Sequence, residues 1–361
     1  MLAGGGTGGH IFPAIAIADE IKKIDREPEI LFIGAKGRIE EKIVPANNYR
    51  LVTLDITGID RKVFFKNLIL PYKLLKAINR CREIIREFRP DVVIGTGGFV
   101  CGPVIYTANK MKIPTLIQEG NSFAGKTIKY LSADSKKVVI NFDETRKFFK
   151  RQDNVIRISH PIRSSLKTFD RSIAAELFGL KGDKKTIFIF GGSQGAKGLN
   201  SLVQNIIGEL YKKDFNIIWQ TGKGDYSGYK NKFTDYSDRV KIYEFIENID
   251  AAYSACDIII CRAGITSIME IAFFGKPAVF VPLPASAENH QFKNAESLVS
   301  RNAAFMVEQN ETYLRLLEII MKAADDENLI EEMIKNLKMI SDPDAAFKIA
   351  GEAIKLIDKN E

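Results

Sequence analysis

Three glycine-rich turns stand where predicted strands meet predicted helices, at residues 4–10, 96–103 and 191–198. Glycine lets the backbone approach a phosphate closely, and the helix that follows offers unpaired N–H groups and the positive end of its dipole. A single turn of this kind is often only a tight connection between a strand and a helix. Three of them in one chain favour binding sites for a phosphate-bearing ligand.

The first turn formally matches the dinucleotide-binding fingerprint, with glycines at positions 4, 6 and 9. That fingerprint also requires an acidic residue about 20 positions further on, at the end of the second strand, to bind the ribose. The second strand ends in Phe32-Ile33-Gly34-Ala35, without an acid. The sequence therefore disfavours an NAD-dependent oxidoreductase.

Residues 120–127 match the phosphate-loop pattern of nucleoside triphosphatases, since Gly120 is followed after four residues by Gly125-Lys126-Thr127. Such an enzyme also needs an aspartate that holds magnesium at the end of a later apolar strand. The nearest candidate, Asp143, follows a strand that is interrupted by Asn141. A phosphate-loop NTPase remains an alternative function.

The second half carries a fourth turn of interest, residues 261–270, directly after the apolar run Ile258-Ile259-Ile260. Small and hydroxylated residues lead into a helix there, which again favours an anion site. Glu270 is expected in the first turn of that helix, where its carboxylate can accept hydrogen bonds from two sugar hydroxyls. The alternative is that Glu270 only complements the helix dipole, which contributes up to ~1 kcal/mol.

The elements that position these turns are short β-branched runs that alternate with helical patterns, which predicts parallel α/β layers. Helical patterns include residues 10–24 and 196–210, and the repeat of an apolar strand followed by a glycine turn predicts two similar domains. We place the domains at 1–161 and 162–342, with a final helix in 343–361. The predicted strands are 29–33, 50–54, 92–95, 114–117, 137–140 and 155–158 in the first half, and 186–190, 216–220, 240–243, 258–261 and 278–281 in the second.

Composition agrees with a folded protein of this size. The 361 residues are 45% hydrophobic and 27% charged, and this length fits two domains at about 150 residues each. The four cysteines form no CxxC pair and the three histidines are dispersed, so neither disulfides nor a metal site is expected. We expect no signal peptide, because Met1-Leu2-Ala3 runs straight into glycine, and no membrane-spanning helix.

The net charge of +7 is concentrated in the first half of the chain. Residues 1–161 carry 27 basic and 17 acidic side chains, whereas residues 162–342 carry 22 and 24. No helix-turn-helix, zinc-finger or aromatic-basic RNA motif accompanies this charge, so no nucleic-acid partner is expected. An anionic membrane surface or a phosphorylated substrate is the better partner class.

Five motifs together resemble the MurG family, the bacterial N-acetylglucosaminyltransferases that convert lipid I to lipid II in peptidoglycan synthesis. The resemblance spans essentially the whole chain. The motifs are Gly-Gly-Thr-Gly-Gly-His-Ile-Phe-Pro-Ala at 5–14, Gly-Gly-Phe-Val-Cys-Gly-Pro at 97–103, Gly-Gly-Ser-Gln-Gly-Ala at 191–196, the segment 261–270, and His-Gln-x-x-Asn-Ala at 290–295.

The resemblance implies a GT-B fold, in which two Rossmann-like domains face each other across a cleft and the last helix returns to the N-terminal domain. It also implies that UDP-N-acetylglucosamine binds mainly to the C-terminal domain and the lipid acceptor, lipid I, to the N-terminal one. Arg163 and Ser193 would hold the diphosphate, Ile246 would meet uracil through its backbone, Glu270 would bind the ribose and Gln291 the sugar. The residues implied around the nucleotide sugar are Thr7, Gly8, Gly9, Asn121, Arg163, Ser193, Ile246, Ile265, Thr266, Ser267, Ile268, Met269, Glu270 and Gln291.

Two segments depart from the family pattern. The family usually has His-Glu-Gln-Asn where this chain has Gln118-Glu119-Gly120-Asn121, and Gly120 is what creates the phosphate-loop match. The family usually has Gly-Asn-Pro where this chain has Ser159-His160-Pro161. These changes bear on the acceptor side and on the domain boundary more than on nucleotide binding.

The implied reaction is an inverting displacement at the anomeric carbon, which needs a base for the acceptor hydroxyl and positive potential for the leaving diphosphate. We expect His10 to be the base, because a helix N-terminus disfavours the imidazolium form. Glu119 is the alternative base, and His10 would then only hold the loop. Helix N-termini and Arg163 can stabilise the leaving group, so no cofactor is expected and a divalent cation is at most auxiliary.

Residues 61–89 hold nine basic and two acidic residues. From Pro71 the pattern is helical, and Leu74, Ile78, Cys81, Ile85 and Phe88 are expected on the core face. Val63, Phe64 and Phe65, together with residues 68–70, crowd a short apolar stretch beside this charge. The pattern favours docking on an anionic membrane leaflet, and the alternative is an ordinary core with solvated charges. The lipid-linked substrate implied by the resemblance favours peripheral attachment to the cytoplasmic face of the inner membrane.

Overall fold

The computed structural model describes residues 1–25, 27–58, 68–181, 183–192, 195–284 and 286–358. The chain divides into two compact units. The N-terminal unit comprises Met1–Ser164 and Asp342–Glu361, and the C-terminal unit comprises Ser165–Ser341. Arg163 and the last helix therefore both belong to the N-terminal unit.

The N-terminal unit contains a seven-stranded parallel sheet in the order β3-β2-β1-β4-β5-β6-β7. The central strands are buried on both faces, as expected for a parallel sheet that helices cover on both sides. The strands are β1 (Leu2–Gly4), β2 (Leu31–Ala35), β3 (Arg50–Leu54), β4 (Val93–Gly97), β5 (Thr115–Glu119), β6 (Lys137–Ile140) and β7 (Val155–Arg157).

The helices of this unit pack on the two faces of its sheet. The last helix lies against the first, since Ile349, Ala350 and Ala353 share a hydrophobic core with Ile11 and Ile15. The helices are α1 (Gly8–Ile24), α2 (Glu40–Ala46), α3 (Leu70–Phe88), α4 (Cys101–Lys110), α5 (Lys126–Leu131) and α15 (Ala345–Asp358).

The C-terminal unit has a parallel sheet of six strands in the order β10-β9-β8-β11-β12-β13, the same pattern of connections as the first six strands of the other sheet. Its strands are β8 (Thr186–Phe190), β9 (Asn216–Gln220), β10 (Val240–Tyr243), β11 (Ile258–Cys261), β12 (Ala278–Phe280) and β13 (Phe305–Met306). Its helices are α6 (Arg171–Glu176), α7 (Lys197–Val203), α8 (Ile207–Lys212), α9 (Tyr226–Lys232), α10 (Ile249–Ala255), α11 (Ile265–Phe274), α12 (His290–Val299), α13 (Tyr313–Asp325) and α14 (Glu327–Lys338).

The structure corrects two of the predicted elements. The helix predicted over 196–210 is two short helices, α7 and α8, and both bury apolar residues in one core. Strand β13 was not predicted, because a strand of two residues shows no alternation that sequence patterns can detect. Among the described residues, none of the helices combines the length and the apolar character needed to cross a membrane.

Candidate active site

The first glycine turn places His10 in the first turn of α1, beyond strand β1. Thr7 is the N-cap residue and is exposed, and its carbonyl accepts from His10 N at 3.2 Å. The His10 ring lies against Gly97, where an added Cβ would come within 2.6 Å of Nδ1. Gly8 and Gly9 precede the histidine in the same helical turn. These four residues, predicted around one site, therefore lie together at the end of β1 and β4.

The His10 ring is oriented by the backbone of β4. Its Nδ1 lies 3.1 Å from the carbonyl oxygen of Thr96, while the Thr96 hydroxyl donates to the carbonyl of His10 at 2.7 Å. A carbonyl can only accept, so Nδ1 carries the proton of the neutral ring and Nε2 carries the lone pair. This tautomer is the one that a general base needs at Nε2.

The first glycine turn is held by the buried carboxylate of Glu40, which the sequence analysis did not predict. Glu40, the first residue of α2, is fully buried and accepts from Gly6 N at 3.0 and 3.1 Å and from Ala35 N at 2.9 Å. A Cβ on Gly5 or Gly34 would collide with this side chain. No local pattern links Glu40 to a turn 34 positions away, so the sequence offered no way to find it.

Glu119, the alternative base, is the centre of the loop that resembles a phosphate loop. Its Oε1 accepts from the backbone N and side-chain Nδ2 of Asn121 at 3.0 and 2.9 Å, and its Oε2 accepts from Gly125 N at 2.9 Å. The carboxylate is 5% exposed. An internal anion thus takes two backbone N–H groups that a phosphate would need, and the phosphate-loop interpretation of residues 120–127 is not supported.

In the C-terminal unit, helix α11 begins directly after Gly264, its N-cap residue. Gly264 brings no side-chain acceptor for the N–H groups of the first turn, and no atom lies within 4 Å of the position of an added Cβ. Thr266 and Ser267 are half-buried there. The side chains of Ile265, Ile268 and Met269 are buried in the core, so their part in any site is limited to the backbone.

Glu270 lies in the second turn of α11, because the helix already begins at Ile265. The expectation that Glu270 occupies the first turn was therefore wrong, and no acidic residue stands there to complement the dipole. The carboxylate is buried and its Oε2 accepts from the hydroxyl of Tyr253 at 3.1 Å. Tyr253, on α10, was missed by the sequence analysis.

Gln220, at the end of β9, ties two candidate segments together. Its Oε1 accepts from Ile246 N at 2.8 Å and its Nε2 donates to the carbonyl of Gly192 at 3.0 Å. Gln220 already accepts from the N–H of Ile246. The carbonyl of Ile246 is therefore the backbone group that is left for a nucleobase, from which it can accept a hydrogen bond. Ser193, which follows Gly192, lies outside the described residues.

Three further residues from the sequence analysis, Gln291, Asn294 and Arg163, lie outside the glycine turns. Gln291, on α12, accepts from Leu283 N at 2.9 Å through its Oε1 and so holds the segment after β12. Asn294 is fully buried and donates to the carbonyl of Ala263, just before α11. Arg163 is half-buried in the N-terminal unit, although the predicted boundary assigned it to the second domain.

The cysteines and acidic residues offer no metal centre in the part of the chain that the structure describes, where no group of three or more ligating side chains is found. All four cysteines are buried thiols. Burial raises the pKa of Cys81, Cys101 and Cys256 to about 12. Thiolate chemistry is therefore not a property of either unit.

The start of α3 departs from its predicted core face. Leu74 is 43% exposed, whereas Cys81 and Ile85 of the predicted face are buried, together with Ala77 and Ile84. We call the exposed apolar residues at this end the α3 apolar patch. It consists of Leu68, Ile69, Tyr72, Leu74 and Leu75, exposed by 69, 55, 66, 43 and 63%. Val63, Phe64, Phe65 and Lys66 lie outside the described residues.

Comparison with known proteins relates this chain to glycosyltransferases over nearly its whole length. The model of the glycosyltransferase family 28 N-terminal domain matches residues 1–140, and that of the C-terminal domain matches residues 186–349. The UDP-N-acetylglucosamine--N-acetylmuramyl-(pentapeptide) pyrophosphoryl-undecaprenol N-acetylglucosamine transferase of Christiangramia forsetii is 41% identical over 99% of this chain and 97% of that protein. The protein of the same name from Acetivibrio thermocellus is 38% identical over 100% and 98%.

Solved structures agree with these relatives. The crystal structure of MurG from Acinetobacter baumannii matches with a TM-score of 0.77 and 28% identity, over 98% of both chains. MnaA of S. aureus, solved with UDP, shares the fold at 14% identity with a TM-score of 0.71, over 99% of this chain and 96% of that one. The chain therefore belongs to the MurG family and is a glycosyltransferase of family 28 with two Rossmann-like domains.

Proposed function

We propose that this enzyme transfers N-acetylglucosamine from UDP-N-acetylglucosamine to the 4-hydroxyl of the N-acetylmuramoyl group of lipid I, giving lipid II and UDP. The names of the curated relatives support this pair of substrates. The acceptor oxygen forms a bond to the anomeric carbon while the bond from that carbon to UDP breaks. The electron pair leaves with UDP, the configuration inverts, and the acceptor proton passes to a base.

His10 is that base. The single observation that carries the proposal is the hydrogen bond from its Nδ1 to the Thr96 carbonyl, which leaves Nε2 as the proton acceptor. The ring is half-buried and braced against Gly97, so its lone pair has a fixed direction. A positioned base of this kind contributes about 10²–10⁴-fold to a rate.

Glu119 serves the same site by shaping the loop rather than by taking the proton. Its two oxygens already accept three hydrogen bonds from Asn121 and Gly125. Three of the roughly four lone-pair sites of this carboxylate are therefore already used to hold the loop.

The donor nucleotide binds to the C-terminal unit. The N-terminal N–H groups of α11 and its dipole attract the diphosphate, since Gly264 provides no internal acceptor. Glu270, oriented by Tyr253, accepts from the ribose hydroxyls. The carbonyl of Ile246, held by Gln220, accepts from the uracil N–H, and Gln291 binds the sugar. Arg163, which the family resemblance implies at the diphosphate, lies in the N-terminal unit.

No cofactor takes part in this mechanism, and a divalent cation is at most auxiliary. The positive end of α11 can stabilise the charge that grows on the diphosphate. Transfer measured with a chelator and without added metal tests this point. A rate that collapses with the chelator and returns with Mg²⁺ would contradict it.

The decisive experiment measures UDP release from UDP-N-acetylglucosamine with and without a lipid I analogue. We expect release that depends on the acceptor. His10→Gln should lower kcat by about 10²–10⁴-fold, since the base is lost, while the Kd of UDP stays unchanged. Glu119→Gln, the matched control, keeps one oxygen that can accept from Asn121 and loses the acceptor for Gly125 N, and it should lose less activity. If Glu119→Gln loses more activity than His10→Gln, Glu119 is the base.

The enzyme works at the cytoplasmic face of the inner membrane, where its lipid-linked acceptor resides, and the α3 apolar patch docks there. The patch borders exposed Lys76, Arg80 and Arg82, and each basic residue near an anionic surface contributes about 1 kcal/mol. Lys73 and Arg80 contribute less, because they are paired with Asp55 at 3.0 Å and with Glu83 at 2.7 Å. The pairing with Lys73 lowers the pKa of Asp55.

Co-sedimentation with anionic vesicles at low and high salt tests the docking. Leu68→Ser with Leu75→Ser should abolish binding at physiological salt. Ile173→Ser with Leu177→Ser, which removes equally exposed apolar side chains from the C-terminal unit, is the matched control and should bind normally. Binding that ignores lipid charge, or survives the first pair of changes, would rule out the patch as the anchor.

A further inference from the structure

Two segments that depart from the family pattern, residues 118–121 and 159–161, meet inside the N-terminal unit. Gln118, on β5, is 1% exposed, and His160, after β7, is 2% exposed. The side-chain Nε2 of Gln118 lies 3.0 Å from Nδ1 of His160. An amide nitrogen donates, so the imidazole nitrogen that faces it is unprotonated.

Gly120 leaves the space that this imidazole occupies. A Cβ at position 120 would lie 2.3 Å from Nδ1, 3.0 Å from Cε1 and 3.2 Å from Cγ of His160. The backbone of Gly120 is outside the left-handed region, so its conformation does not require glycine. The requirement is the room taken by the ring of His160.

His160 is held from its other end as well. Its backbone N–H donates to Oδ1 of Asn141, the residue that follows β6, at 2.8 Å. Burial, with a smaller effect of the nearby His10, lowers the pKa of His160 to about 3. The ring is therefore neutral near pH 7 and remains an acceptor for Gln118.

The departures are matched to one another. The family usually places an imidazole at position 118 and an amide at position 160, whereas this chain has the amide at 118 and the imidazole at 160. The imidazole is larger than the amide it replaces, and the space that it needs is the space that glycine leaves at 120. Glu119 directly follows Gln118, and Asn121 directly follows Gly120, on the same segment.

We propose that Gln118, Gly120 and His160 form one interlocked positioning unit that fixes the segment carrying Glu119 and Asn121, so that these three residues tolerate change only together. His160 acts through Gln118 and the backbone of Gly120 and does not touch the substrates. The proposal rests on the transferase function proposed above for its activity readout, whereas its structural coupling can be measured without any turnover.

A double-mutant cycle tests the interlock. Gly120→Ala drives a methyl group into the ring and should lower the melting temperature and lower kcat at least tenfold, with the Kd of UDP unchanged. In a His160→Ala background, the same Gly120→Ala change should cost less than twofold further in kcat and should not lower the melting temperature further. Gly351→Ala on α15 is the control, since no atom lies within 4 Å of the added methyl group, and should leave kcat unchanged without lowering the melting temperature.

Two further results bear on the proposal. Combined Gln118→His, Gly120→Gln and His160→Asn should restore kcat above the level of each single change. In the wild-type protein, ¹⁵N-histidine NMR should show one imidazole locked with its proton on Nε2 and unchanged between pH 8 and pH 5. Additive melting-temperature changes in the cycle, or no such locked ring, would overturn the proposal. A wild-type protein without transfer activity would refute only the proposed function.

Discussion

In the N-terminal unit, the glycine-rich turns at 4–10 and 120–127 close on carboxylates of the chain itself, whereas in the C-terminal unit helix α11 begins at a glycine without any side-chain acceptor. Gly6 donates to Glu40, and Gly125 donates to Glu119. Gly264 offers α11 no such partner. By sequence all of these segments predict anion sites, and in the N-terminal unit the anion is already part of the protein.

This difference separates two uses of glycine. A turn that is satisfied internally is rigid and can hold a reacting group such as His10 in one orientation. At α11 the N-cap residue is a glycine that supplies no side-chain acceptor, so the positive end of the helix dipole can attract an anionic ligand. The difference supports the division proposed above, with proton transfer in the N-terminal unit and recognition of the nucleotide diphosphate in the C-terminal unit.

The largest expected effect comes from removing an internal anion. Glu40→Ala leaves the buried N–H of Ala35 and the half-buried N–H of Gly6 without this acceptor, at about 1–3 kcal/mol for a buried group, and opens a cavity. We expect the N-terminal unit to lose about 4 kcal/mol of stability in urea unfolding. kcat should fall sharply because the turn that carries His10 relaxes.

The neighbouring Glu41→Ala is the matched control, since Glu41 is exposed, and it should change neither quantity. UDP affinity should stay at the wild-type value in both variants. If the Glu40→Ala protein has normal stability and activity, the Glu40 carboxylate does not stabilise the first glycine turn.

The next effect comes from giving the C-terminal unit an internal anion of its own. Gly264 has the extended backbone of an N-cap, with φ −73° and ψ 136°, and open space beside it. Gly264→Asp should cap α11 and should weaken UDP binding by about 3 kcal/mol through charge repulsion and the loss of N–H donors. Calorimetry with UDP measures this. Gly264→Asn, which caps the helix without adding charge, should have a smaller effect. If Gly264→Asp and the wild-type protein bind UDP with equal affinity, the diphosphate binds elsewhere.

A smaller effect is expected at the ribose. Glu270→Ala should weaken UDP binding by about 2 kcal/mol, since the sugar hydroxyls lose their acceptor. Tyr253→Phe removes only the bond that orients Glu270 and should cost about 1 kcal/mol. Titration calorimetry with UDP separates the two. Wild-type affinity in Glu270→Ala would exclude this carboxylate from the donor site.

The smallest effect is a pH dependence confined to the N-terminal unit. The pKa of His160 is about 3 in the folded protein, against about 6.5 for an unfolded histidine. Between these values the unfolded chain binds a proton that the folded chain does not, so stability falls as the pH falls below about 6.5, by up to ~1.4 kcal/mol per unit. Urea unfolding from pH 7 to pH 5 should show this slope in the wild type and a shallower one in His160→Asn. Parallel slopes would mean that His160 is not buried as a neutral ring.

Local patterns were enough to predict most of the fold. The strands at 50–54, 186–190, 216–220 and 258–261 were predicted with their observed bounds. The last three are buried parallel strands, whose short apolar runs local sequence reveals. The exposure of Leu74 could not be predicted, because a helical apolar stripe shows that a face exists but not which part of it is covered.

For the site, the sequence by itself determined the glycine turns, the helix starts behind them and the family to which the chain belongs. Only the tertiary structure decided which distant residue forms hydrogen bonds with each turn. Glu40 reaches Gly6 across 34 positions, the ring of His10 takes its orientation from Thr96 across 86, and His160 meets Gln118 across 42. Such pairings arise from the packing of parallel strands whose carboxyl ends share one edge, and no local pattern encodes them.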